Sequence, residues 1–200
     1  MTIEKGQPWG EPGPMPADAC VVTDDRMASL ALERARKAGE SFPVLGLAGG
    51  DLWKTLGGKA GSLDRGGATG FPIDLGEVLV DGKLRFFVAH VVAHDRTWRH
   101  TFVAMNAQWR GEWNLGPKAH PNDGIVDTYR ADLALGDRLK VWRRLGTGSH
   151  LPHPGIKPER SRSVSTEFVR PMMIEVDGER VGVARHLAVR VEPDALRVFV

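Results

Sequence analysis

The chain of 200 residues has one cysteine, Cys20, so it can form no internal disulfide. Cys20 lies in the apolar run ACVV, which predicts a buried strand, and a lone buried thiol fits a reducing compartment. Long hydrophobic runs are also missing. The stretch Phe86 to Val92, interrupted by His90, is far short of the roughly 20 residues that cross a bilayer, so no transmembrane helix is expected. The opening MTIEKGQPWGEPGPMP has acids, Trp9 and prolines where a secretory leader would have a basic end and an apolar core. A cytoplasmic location is the expectation. An excess of one charge sign is lacking as well: a net +2 gives no global argument for nucleic acid as a partner. HExxH, GxSxG, GxGxxG and GxxxxGK[ST] are all absent, which removes the ready-made zinc protease, hydrolase, dinucleotide and P-loop readings.

With 42% hydrophobic and 26% charged residues, the chain can bury a core for one large domain or two small ones. Residues 1–16 alternate glycine and proline and read as an extended arm that Trp9 pins to the body. Residues 17–60 read as strand, helix, strand, helix. The first helix, Arg26 to Ala38, is capped by Asp24 or Asp25, closed by Gly39, and carries Met27, Leu30, Ala31, Arg34 and Ala38 at helical spacing. PVLGLAGG is a second strand, and Asp51 is placed to cap the short helix DLWKTL. From residue 71 the period changes to two, with a hairpin at Asp81-Gly82 and strands at KLRFFVAHVVA, TWRHTFVAMNA, IVDTYRA, RSVSTEFV, MMIEV, RVGVARHLAVRV and ALRVFV. One helix interrupts them, with Leu135, Leu139, Trp142 and Leu145 on one face. The fold class is therefore α+β: a small α/β layer at 17–60, then a mainly antiparallel β-sandwich at 71–200.

Several stretches carry groups suited to chemistry. His90 and His94 share a strand face but lie about 13 Å apart at roughly 3.3 Å per residue, too far for one ion. Gly46, Gly49, Gly50 and Asp51 run from a strand into a helix, where backbone N–H groups can meet an anion, although small residues at such a turn are also needed for packing. Asp123 and Asp127 flank an Asn-Asp-Gly turn able to offer oxygens to a hard cation such as Mg2+. The turn VDGER presents Glu179, while VDGK at 80–83 shows the same turn with no chemistry attached. Residues 138–162 carry seven Lys and Arg residues against Glu159, which suits phosphate or an anionic membrane surface.

Taken in order, LAGGDLWKTLGG, FPIDLGEV, NAQWRGEWNLGPKAHPNDGIVD, VDGERV and the terminal PDALRVFV resemble the successive landmarks of the diacylglycerol kinase and sphingosine kinase-like lipid kinases. The resemblance implies a C-terminal β-sandwich like that of diacylglycerol and NAD kinases. It also implies that Asp51 and Glu179 lie near a phosphoryl-transfer centre, that Asp25, Gly49 and Gly50 belong to the nucleotide site, and that Asp123 binds Mg2+ with the backbone carbonyls of His120 and Ile125. Where that family has its phosphate-binding GGDGT loop, this chain reads TDDRM, keeping only Asp25 and placing Asp24, Arg26 and Met27 where small residues are required. Side chains there block a phosphate from the backbone and add a second carboxylate. The expectation is a lipid kinase-like protein with lost or weakened use of ATP that keeps a sandwich able to bind a lipid, another small molecule or a partner. Its alternatives are a working kinase in which Arg26 contacts phosphate, and a regulatory module that forms a homodimer through exposed strands.

Overall fold

In a computed structural model that describes residues 9–61, 63 and 67–200, the arm is held by β1 (Glu11–Pro12) and by Trp9, whose ring meets Phe71 edge-on at 4.7 Å. β2 (Cys20–Val22) leads into α1 (Asp25–Ala38). The Asp24 carboxylate caps that helix by accepting the Met27 N–H at 2.8 Å, and Gly39, at φ 73°, ends it. The expected apolar face is corrected: Ala28, Leu32 and Ala35, with Asp25 and Ser29, turn inward, and Met27 is exposed. Small side chains let this helix approach the sheet closely, so its buried face carries little hydrophobic signal. β3 (Leu45–Leu47) pairs with β2 in parallel and is followed by α2 (Asp51–Thr55).

β4 (Thr69–Val80) and β5 (Lys83–Phe87) form the expected hairpin, with Asp81 and Gly82 both at positive φ. The strand does not continue to Ala93. It breaks at Val88 and Ala89, and β6 (His90–His94) departs to pair with β7 (His100–Met105) and β12 (Ser163–Val176). A small hairpin, β8 (Trp109–Arg110) and β9 (Trp113–Asn114), precedes β10 (Val126–Asp132), α3 (Leu135–Leu145) and β11 (Ile156–Ser161). β12 and β13 (Glu179–Phe199) are each one long strand where the sequence suggested two. Register shifts between Glu167 and Met172, and between Glu192 and Leu196, coincide with Pro171 and Pro193 and bend the strands without ending them.

Among the described residues eleven strands form one mainly antiparallel sheet in the order β1-β4-β13-β12-β6-β7-β10-β11, with β5 on β4 and the β2–β3 pair on β13, while β8 and β9 form a separate two-stranded sheet. The last contact is parallel, Val198 against Leu45, so the α/β layer is continuous with the sandwich. Apolar side chains collect between α1 and the sheet (Leu32, Leu47, Leu52, Ile73), within the sandwich (Phe87, Phe102, Ile174, Leu187), and beneath α3 (Met105, Tyr129, Val141, Leu145). The stripe expected to bury α3 is corrected as well: Leu145 is inside with Val141, but Leu135, Leu139 and Trp142 face outward. No helix among the described residues is long and apolar enough to cross a membrane.

Candidate functional site

The break between β5 and β6 is organised by Asp177, from the hairpin that joins β12 to β13. Its carboxylate accepts the N–H groups of Val88, Ala89 and His90 at 2.8, 3.0 and 2.9 Å and the Ser29 hydroxyl from α1. Asn106 secures the other side, its amide nitrogen donating to the carbonyls of Asp74 and Val88. Five separate segments thus meet where the sheet changes partners. Burial pushes the Asp177 carboxyl up despite these donors and the charge of His90.

Beside this joint sit the acids singled out in the sequence. Asp51 is the first residue of α2 and does not cap it; the cap comes from Asp25 of α1, which accepts the N–H groups of Asp51 and Leu52 at 2.5 and 3.1 Å. The positive end of α2 therefore already has its anion. A side chain at Gly50 would meet the Asp25 carboxylate at 2.7 Å, and one at Gly49 would meet the Thr23 carbonyl at 2.5 Å, so protein atoms occupy the space beside both glycines. Burial, with the neighbouring Asp177 charge, pushes the Asp25 carboxyl up to about 7. Asp51 shows the opposite behaviour. Burial would raise it, but His90 Nε2 at 3.0 Å from Oδ2, the Gly111 N–H at 2.6 Å from Oδ1 and the Arg110 charge hold it below the usual carboxylate range. Glu179 forms an ion pair at 3.1 Å with Arg26 of the TDDRM segment. The structure thus brings Asp25, Gly49, Gly50 and Asp51 together and links Glu179 to them through Arg26, with each carboxylate engaged by a protein donor. This arrangement does not fit a nucleotide phosphate as it stands.

Asp123, His120 and Ile125 belong to a separate network. Buried Asp74 accepts the N–H groups of Gly124 and Asp194 at 2.7 and 3.0 Å, fixing the Asn-Asp-Gly turn against the bend in β13, and burial pushes its carboxyl up to about 6. Asp123 accepts the Ile125 N–H at 3.1 Å and is paired with Arg160, whose Nε also meets buried Asp127 at 3.0 Å. At Asp123, Arg160 supplies the positive charge that a cation would bring. In this arrangement the turn does not fit a divalent cation.

A cavity of about 420 Å³ opens between α3 and the sheet, walled by Val92, Val103, Tyr129, Leu133, Val141 and Trp113 among other, mostly apolar, side chains. Arg110 lines its edge, and the next residue, Gly111, holds Asp51, so the β8–β9 hairpin is shared by the cavity and the acid site. Glu175, buried behind it, would be raised by burial, but Arg110, bonded to it at 2.6 Å, holds it low.

A family model described as the YegS C-terminal NAD kinase beta sandwich-like domain matches residues 76–200. The chain belongs to that family. Among solved structures, two from Bacillus anthracis str. Sterne with a provisional diacylglycerol kinase assignment superpose with TM-scores of 0.63 and 0.64, at 14% and 12% identity. Each alignment covers 90% of this chain and 77% of the other. A third structure, called a diacylglycerol kinase from the same organism, gives 0.54 at 12% identity over 78% of this chain and 66% of that one. At these identities the likeness is one of fold. No curated protein matches the chain. The residues that sequence reasoning missed are Asp177 and Arg110 in the YegS-type sandwich and Ser29 on α1, while Arg160 was read only as part of a basic run. Asp177 had a visible signal, since it leads the same turn as Glu179, but an identical Asp-Gly at 81–82 concealed its importance.

Proposed function

We propose that this chain is a diacylglycerol kinase-like protein whose nucleotide site is closed by its own side chains and whose sandwich binds a lipid or other apolar small molecule. The observation that carries this reading is the apolar cavity sharing the β8–β9 hairpin with Asp51: a ligand placed there has its polar end beside Arg110 and the acid site. Phosphoryl transfer depends on positioning and charge stabilisation, and Asp25, Asp51 and Glu179 are each committed to internal partners. A working transferase is the second reading, favoured by the half-exposed guanidinium of Arg26, which could leave Glu179 for a phosphate.

The test has two arms. Diacylglycerol should displace an apolar fluorescent probe from the purified protein, whereas ATP with Mg2+ should leave the melting temperature unchanged and phosphorylate no diacylglycerol above a Glu179→Gln control. Probe binding that diacylglycerol does not compete for would defeat the ligand reading. Turnover by the parent that vanishes in Glu179→Gln would establish the transferase instead.

A further inference from the structure

Helix α3 has two apolar faces, and only one of them is covered. Val141 and Leu145 pack on the sheet, while Leu135, Leu139 and Trp142 are 66%, 52% and 59% exposed. Their spacing of four and three residues stacks these three side chains along one side of the helix. Trp98, in the β6–β7 turn, is partly exposed as well and borders the same cavity as the stripe. The Arg138 guanidinium donates to the Thr97 carbonyl and ties that turn to the helix.

The charges around the stripe indicate its partner. α3 carries Arg138, Lys140, Arg143 and Arg144, and its one acid, Asp137, is paired with Lys140 at 3.0 Å. At about 100° per residue, Arg138 and Arg143 fall on opposite sides of the Leu135–Leu139–Trp142 stripe. A second copy docked on this face would bring like charges together, whereas anionic headgroups would neutralise them. An apolar stripe with Trp, flanked by Arg, is the side-chain arrangement of a helix lying in a membrane interface.

We propose that α3 docks this protein on an anionic bilayer, with Leu135, Leu139, Trp142 and Trp98 at the acyl boundary and Arg143, beside the stripe, among the headgroup phosphates. Leu135, Leu139 and Trp142 also line the cavity, so its mouth opens toward the lipid. This docking stands independently of any phosphoryl transfer.

Flotation with vesicles of phosphatidylcholine alone, or mixed with phosphatidylglycerol, tests it. The parent should bind the anionic vesicles at least about tenfold more tightly, and lose that binding between about 0.1 M and about 1 M salt as the screening length falls from about 10 Å to about 3 Å. Joint substitution Leu135→Ser, Leu139→Ser and Trp142→Ser should abolish binding while leaving the melting temperature within a few degrees. Arg143→Ser should lower the anionic preference more than Arg144→Ser, which alters a charge on the opposite face of the helix. Lipids brominated in the acyl chain should quench tryptophan emission in the parent and less in Trp142→Phe, which should still bind. Equal binding to both vesicles, binding to neither, or unchanged binding by the triple variant would overturn the proposal. So would a dimer that the triple variant abolishes while vesicles remain unbound.

Discussion

Replacing Asp177 by alanine should remove much of the stability of the fold, and the chain contains its own control. Asp177 and Asp81 both lead Asp-Gly turns at nearly the same backbone angle, φ 47° and 44°, so the strain of an alanine at positive φ enters both variants and cancels. Their surroundings differ. Asp81 is exposed and accepts the N–H groups of Arg185 and His186 at 3.2 and 2.9 Å, groups that water can satisfy, so losing it should cost about 0.5–1.5 kcal/mol. Asp177 is buried, and its loss strands three backbone N–H groups and the Ser29 hydroxyl. At about 1–3 kcal/mol for each stranded donor, reduced by local relaxation, the total is about 4 kcal/mol or more, against a typical domain stability of about 5–15 kcal/mol. Urea denaturation followed by tryptophan emission should place Asp177→Ala at least about 3 kcal/mol below Asp81→Ala at unchanged slope. Should Asp177→Ala fail to accumulate, Asp177→Asn, which keeps one acceptor oxygen, should fall between the alanine variant and the parent. Asp177→Ala and Asp81→Ala agreeing within about 1 kcal/mol would refute the claim that Asp177 holds the joint.

Asp25, with its carboxyl raised from 3.8 to about 7, binds a proton more tightly folded than unfolded. Its contribution to stability is therefore full below about pH 4 and is lost as the pH rises through about 7. In Asp25→Asn the fall in stability across that window should flatten, and a variant that declines as steeply as the parent would remove Asp25 as its source. Arg160→Ala should destabilise by about 1–3 kcal/mol, a value reduced for the partial exposure of the guanidinium, because Asp127 is left buried without its partner. If the guanidinium occupies the electrostatic role of a cation, millimolar Mg2+ should raise the melting temperature of Arg160→Ala and not of the parent, as a thermal-shift assay would show.

Much of this architecture was legible because turn chemistry is local. Asp24 and Gly39 bound α1, and Asp81-Gly82 sets the first hairpin, with no reference to anything distant. What escaped was decided by tertiary contact. β11 was hidden in a proline-rich segment, since Pro158 is tolerated on a strand that pairs on one side only. Pro171 and Pro193 read as breaks but sit at bends inside continuous strands. The outward stripe of α3 looked like core because periodicity reports that a face is apolar, not that anything covers it. At the site, Asp51 and Glu179 were identified as acids, but their partners Gly111, His90 and Arg26 lie far along the chain. The motifs that carried the resemblance prove largely to be joints: Asp74, Asn106 and Asp177 each bond backbone where the sheet bends or changes partners. Their roles here are structural, so the resemblance they carry speaks to the fold and not to catalysis.

The parallel pairing of β3 with the far end of β13 also bears on how the protein is made. Leu45 meets Val198 about 150 residues further along, a very long closure for a strand of three residues. During synthesis the α/β layer leaves the ribosome long before the strand that completes its sheet. Until that strand arrives, β3 has only β2 beside it and offers an apolar edge to passing chains. Slow or interrupted translation between these two segments would therefore prolong an aggregation-prone stage that the finished fold conceals.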